Sequence, residues 1–211
     1  MLALEIIGYI LLGIVLYHTL VRIIRKIHPF PIPTVLTDLI DNPLRRKFLQ
    51  NPEKIANNMH LIAGMTVLEI GPGKGSYTTE LARRILPDGI VYAVDVADRV
   101  IDRLNERINE EEIPNIVAKI DNAYSLSFDD NTFDCISMIT CLPEIPNPTE
   151  VLKECRRVLK PGGQVSLCEL FLDPDYPLRK TEKKWAIEAN LALDSEFGNW
   201  WSYQLIFRKN D

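Results

Sequence analysis

The chain has 211 residues, 46% hydrophobic and 25% charged, a balance that supports a packed core and excludes a disordered or low-complexity protein. That length holds one globular domain of ordinary size beside an apolar N-terminal stretch. A formal net charge of −5 excludes the strongly basic surface with which general nucleic-acid binders displace counterions, so no nucleic-acid partner is expected.

From Ile6 to Val21 no residue carries a formal charge, and the apolar character extends from Leu2 to Ile24. At about 1.5 Å per residue such a run reaches roughly 30 Å, and residues 1–26 are expected to form a transmembrane anchor helix. A cleaved signal peptide would carry positive charge ahead of the apolar run, whereas here Glu5 precedes it and Arg22, Arg25 and Lys26 follow it. The positive-inside rule then places the N-terminus outside and the rest of the chain in the cytoplasm, as a single-pass membrane protein with membrane lipids as partners. An interfacial helix or a packed core helix is the alternative. Four cysteines, Cys135, Cys141, Cys155 and Cys168, form no C-x-x-C pair. They suggest neither a disulfide scaffold nor a metal site and fit a reducing compartment.

Residues 27–61 read as a connector followed by amphipathic helices. His28-Pro29-Phe30-Pro31-Ile32-Pro33 has a proline at every second position, which favours a stiff extended spacer. Beyond it, apolar residues recur at helical spacing in two or three short helices, broken at Asn42-Pro43 and Asn51-Pro52. Arg45, Arg46 and Lys47 share one turn and are expected either on anionic headgroups or on a solvated face.

Residues 62–211 form the main domain. Short β-branched or apolar runs at Thr66–Ile70, Ile90–Val94, Asn115–Ile120, Asp134–Ile139 and Val165–Leu170 alternate with helix-like segments, a pattern that predicts a mostly parallel sheet covered on both faces. Two further strand-like runs, Leu191–Phe197 and Tyr203–Lys209, predict an antiparallel C-terminal hairpin, and no room is left for a separate substrate domain. The first strand ends in Glu69-Ile70-Gly71-Pro72-Gly73-Lys74-Gly75, whose glycines permit a tight turn and close backbone approach to a ligand at a helix N-terminus. Ser76 stands where a dinucleotide fingerprint has its third glycine. Glu69 disfavours a pyrophosphate and suits a cationic ligand. Asp95, ending the second strand, suits a ribose diol, a role shared by all nucleotide cofactors.

Val67 to Gly75 resembles the first motif of class I S-adenosylmethionine-dependent methyltransferases. Asp121-Asn122-Ala123 with Leu126 to Asp134 resembles the segment before the fourth strand in the ubiquinone/menaquinone-biosynthesis subgroup, and Val158 to Gly163 resembles the turn before strand five. The resemblance implies a Rossmann-like α/β fold with S-adenosylmethionine as cofactor. It assigns Glu69, Gly71, Gly73 and Gly75 to the methionine moiety, Asp95 with Val96 to the ribose, and Asn122 with Ala123 to the adenine. Asn122 replaces the family's frequent aspartate, and its amide oxygen still accepts a hydrogen bond.

Methyl transfer from a sulfonium needs an aligned acceptor, its deprotonation and exclusion of water, with no protein nucleophile. Glu144 and Tyr176 are weak catalytic candidates from the loops after strands four and five, with turn-forming roles as the plainer reading. Cys141 is expected to be a buried thiol, with a soft-ligand role as the alternative. The N-terminal helices are expected to serve as the lid. With that lid tied to an anchor, the acceptor is expected to be small and hydrophobic or membrane-associated: a lipid headgroup, a quinone precursor or similar. Trp200 and Trp201 are expected to contact it or to pack. Two rivals stand beside this reading. Tyr176 and Lys180 give the Y-x-x-x-K spacing of an NAD(P)-dependent reductase, against which Pro177 and Ser76 speak, and the fold also serves as a non-catalytic nucleotide-binding membrane module.

Overall fold

A computed structural model describes residues 2–27 and 43–210. Helix α1 (Leu2–Ile27) comes first, then α2 (Pro43–Phe48) and α3 (Pro52–Asn58). The alternating domain follows as β1 (Thr66–Ile70), α4 (Ser76–Arg84), β2 (Ile90–Asp95), α5 (Asp98–Glu110), β3 (Ile116–Ile120), β4 (Phe133–Ile139), α6 (Pro148–Val158), β5 (Leu159–Leu170), α7 (Arg179–Glu188), β6 (Leu191–Gly198) and β7 (Ser202–Lys209). The polyproline spacer and the first expected amphipathic helix fall within residues 28–42, outside the described residues.

The sheet has the order β3-β2-β1-β4-β5-β7-β6. Its first five strands pair in parallel, while β7 runs antiparallel to both β5 and β6. Both faces are covered. On one, Ile55, Met59, Leu81, Ile85 and Leu104 pack on Val67, Val91, Ala93 and Cys135. On the other, Leu152, Val158 and Ala186 pack on Leu68, Val94, Ile136 and Leu167. Neighbours such as Val67 and Leu68 therefore point to opposite faces and both are fully buried, as central parallel strands require.

Helix α3 begins where Asn51 caps it, accepting a hydrogen bond from the Lys54 N–H, with Pro52 in the first turn. Ile55, Ala56 and Met59 are buried. Gln204 donates to the Ile55 carbonyl (3.2 Å), so this segment is fixed to the sheet. The expected turn at Val158–Gly163 straddles the start of β5 (Leu159–Leu170): Leu159 pairs with Phe133 and Gln164 with Cys135, the register shifts between them, and Gly162 takes φ +73°. The glycines absorb an irregularity in pairing.

Helix α1 is continuous over 26 residues, and Ile6, Tyr9, Leu12, Val15, Leu16 and Leu20 are exposed. Among the described residues, no helix is long and apolar enough to cross a membrane, so the expected transmembrane span is not a feature of the fold. Its C-terminal end meets the domain: the Arg22 guanidinium lies 4.5 Å from the centre of the Phe171 ring and donates to the Phe171 carbonyl.

Candidate active site

Strand order reverses between β1 and its neighbours β2 and β4, which opens a crevice at the carboxyl ends of the parallel strands. A cavity of about 280 Å³ lies there, with Gly71, Asp95, Val96, Asn122, Ala123 and Glu144 in its wall. Five of these are residues that the sequence assigns to the cofactor.

The three loop glycines do different work. Gly71 has φ +74°, and a Cβ there would lie 2.4 Å from Cys141 Sγ. Gly75 has φ +77° and opens α4, and a Cβ there would lie 2.5 Å from Leu104 Cδ1, so it serves close packing of α4 on α5. Gly73 has open space around it and needs glycine for its φ of +54° alone. Only Gly71 of the three lines the cavity.

Behind Gly71, Glu69 is 1% exposed and its Oε2 has no hydrogen-bond partner among the described residues. Burial pushes its carboxyl from 4.5 up to about 7, an effect that the neighbouring Thr78 hydroxyl only partly offsets. An isolated buried carboxyl of this kind fits a cationic ligand group. Asp95 accepts the Ala97 N–H at 2.9 Å, and burial raises its carboxyl against that backbone bond. Its remaining lone pairs suit a diol. The Asn122 amide oxygen accepts the Tyr124 N–H (3.0 Å), which leaves one lone pair free. Asp121, part of the quoted motif but given no role there, anchors this loop by accepting the Ser127 hydroxyl (2.7 Å) and the Asn122 N–H (2.9 Å), and its carboxyl is held below the usual range. Tyr124, also missed, donates its hydroxyl to the Pro146 carbonyl and joins the cavity's two walls.

Residues 68–167 match the family model of a methyltransferase domain. A demethylmenaquinone methyltransferase of a Geobacillus species is 32% identical over 124 residues, 59% of this chain and 53% of the relative, so the match spans about half that relative's length. The crystal structure of a SAM-dependent methyltransferase from Aquifex aeolicus superposes with a TM-score of 0.78 at 23% identity, covering 85% of this chain and all of that one. Residues 68–167 thus resemble a methyltransferase domain, on a fold shared with S-adenosylmethionine-dependent methyltransferases of class I. The fold alone does not choose the reaction, since the cyclase SpnF shares it, with a TM-score of 0.68 at 16% identity over 75% of this chain and 79% of that one.

A second cavity of about 410 Å³ adjoins the first and shares Ile145 and Pro146 with it. Tyr176 lines the second cavity, while Glu144 lines the first, so the two weak candidates stand on adjoining walls. The Tyr176 hydroxyl donates to the Trp200 carbonyl (2.8 Å), and burial raises its phenol. It is therefore a wall and not a ready base. Lys180 is exposed on α7, so the reductase pairing of Tyr176 with Lys180 is not assembled. Trp200 and Trp201 stack on each other at 4.2 Å and meet Phe171 edge-on, half-exposed beside Tyr176. Burial, then Glu144 and Asp95, raise the Cys141 thiol well above its ordinary value, which keeps it protonated and inert. Among the described residues no cluster fits a metal ion.

Arg45 corrects the expectation of a headgroup-facing basic turn. It is 7% exposed and donates to Gln50 Oε1 (2.9 and 2.7 Å) and the Thr140 hydroxyl (2.9 Å), with Asp173 at 3.4 Å. The guanidinium ties α2 to the ends of β4 and β5.

Two buried carboxyls, Glu169 on β5 and Glu182 on α7, face each other beside Tyr203. Burial raises both, Glu182 to about 8 and Glu169 well above its ordinary value, the neighbouring Glu182 adding to the effect on Glu169. An unfolded glutamate ionises near 4.5, so this stabilisation is complete below about pH 4.5 and is lost as pH rises through about 8, by at most about 1.4 kcal/mol per pH unit. Glu182→Gln is expected to raise the thermal midpoint at about pH 8.5 by a few degrees and to leave it unchanged near pH 4.5, which melting curves across that range will test.

Proposed function

We propose that this chain is a membrane-associated methyltransferase that methylates a small hydrophobic acceptor of the quinol type, with S-adenosylmethionine as methyl donor. The carrying observation is the second cavity, which adjoins the cofactor cavity, has Ile145 and Pro146 in common with its wall, and includes Arg22 of α1 in its lining. An acceptor entering along α1 therefore arrives beside the cofactor. The names of the relatives, demethylmenaquinone methyltransferases, support the quinol class.

S-adenosylmethionine supplies, when bound, a methyl group activated by a sulfonium charge. The protein's own residues bind and orient: Glu69 faces the methionine ammonium, Asp95 and Val96 hold the ribose, and Asn122 and Ala123 bracket the adenine. Ile145, Pro146, Tyr176 and Trp185 form an apolar wall that excludes water from the acceptor side.

The exposed apolar surface of α1 supports membrane association. A helix that is apolar all round has no stable place in water. Arg22, Arg25 and Lys26, near the end of α1 in sequence, support contact with the anionic headgroups of the cytoplasmic leaflet. The decisive experiment reconstitutes the full chain in lipid vesicles with methyl-labelled cofactor and a short-tailed demethylated naphthoquinol. Label in the quinone fraction, with flotation of the protein on the vesicles, is expected. Label in phospholipid instead would move the acceptor to a lipid headgroup, and no label in either would remove the acceptor reading.

A further inference from the structure

We infer that Arg22 of α1 is an acceptor-binding residue, which makes the helix part of the active site and not only a tether. This rests on the proposed acceptor reading and assigns the group that recognises the acceptor's oxygen.

The guanidinium sits in the wall of the second cavity with Asp175, Tyr176 and Trp185. One Nη2–H donates to the Phe171 carbonyl, and the guanidinium carbon stacks 4.5 Å from the centre of the Phe171 ring. Those contacts fix its plane. Its Nε is buried with no hydrogen-bond partner among the described residues. A buried guanidinium N–H without an acceptor is costly, and such groups in native proteins call for an explanation such as a bound ligand. The guanidinium lines the cavity, so an oxygen of the acceptor seated there meets its N–H donors.

The cavity's other groups narrow the class. The wall is mostly proline, isoleucine and aromatic, which suits a flat apolar ring. Asp175 lines the same cavity as Arg22, so a phosphate there would meet a carboxylate of like charge. A phenolic hydroxyl accepts from a guanidinium and its ring suits the apolar wall, so a hydroquinone fits this cavity and a phosphodiester headgroup does not.

The test uses the full chain in vesicles with the same short-tailed naphthoquinol. Arg22→Ala is expected to raise KM for the quinol at least tenfold, to change kcat less, and to leave S-adenosylmethionine affinity unchanged. Arg22→Lys is expected to fall between, because it restores charge but not the planar donor. Unchanged cofactor affinity also serves as the folding control. Turnover by the wild type with an unaltered quinol KM in Arg22→Ala overturns this assignment alone. A fall in kcat and cofactor affinity together, with KM unmoved, also overturns it and makes Arg22 a packing residue. Failure of the wild type to methylate any naphthoquinol overturns the acceptor reading and this assignment together.

Discussion

Asp95→Ala is expected to weaken S-adenosylmethionine binding about a hundredfold, because a carboxylate that bonds both ribose hydroxyls contributes two charge-assisted hydrogen bonds of about 1.5 kcal/mol each. The unliganded protein should melt within a few degrees of the wild type, since the bonds lost are those from the backbone N–H groups of Ala97 (2.9 Å) and Val96, and Val96 is exposed. Asp95→Asn separates the two contributions. It keeps an oxygen for the Ala97 N–H but presents an uncharged amide to the diol, so about a tenfold loss is expected. Calorimetry with the cofactor and its demethylated product reads both variants. Equal affinity in wild type and Asp95→Ala would remove the ribose from this position and, with it, the orientation of cofactor in the cavity. NADH binding by the wild type would revive the reductase reading, although the exposed position of Lys180 already leaves that chemistry without its lysine.

Much of this site was legible because its chemistry requires special backbone. A run of glycines after a buried strand is rarely accidental, and Gly71 and Gly75 need both positive φ and the space that a Cβ would fill. Sequence could not say that they serve different neighbours, since Cys141 and Leu104 come from distant elements. Strand boundaries were legible for a related reason: β1 and β4 are buried on both faces and read as mostly apolar or β-branched runs, interrupted by Glu69 in β1 and by Asp134 and Ser137 in β4. Arg45 was misread because a basic residue on an amphipathic turn is usually solvated, and its partners Thr140 and Asp173 lie about a hundred residues away in sequence. The same holds for Glu169 and Glu182. Each looks like an ordinary surface glutamate until β5 and α7 pack together and exclude water from both. Arg22 shows the limit most clearly, since the pattern of α1 marks it as the edge of an apolar run and says nothing of Phe171.

Glu69 carries the second large effect. Without ligand its carboxyl titrates at about 7, raised by burial, so near neutrality it is half protonated. A ligand ammonium beside it favours the carboxylate, and binding below about pH 7 must therefore expel a proton, which costs affinity up to about tenfold per pH unit. Affinity for S-adenosylmethionine is thus expected to hold above about pH 7 and to fall steadily toward about pH 5, with proton release measurable by calorimetry in buffers of different ionisation enthalpy. Glu69→Gln removes the titrating group. It should bind about a hundredfold more weakly than wild type at about pH 8, match it near about pH 5, and lose the acid limb altogether. Stability moves the opposite way in the absence of ligand. An unfolded glutamate ionises near 4.5, so the folded protein loses stability as pH rises from there through about 7, and the variant does not. A wild-type acid limb that survives in Glu69→Gln would assign the titration to Asp95, whose carboxyl burial also raises, and would move the ammonium away from Glu69. If the limb vanishes, the strain of burying a lone carboxylate is stored in the empty site and released only by the cation it is built to receive.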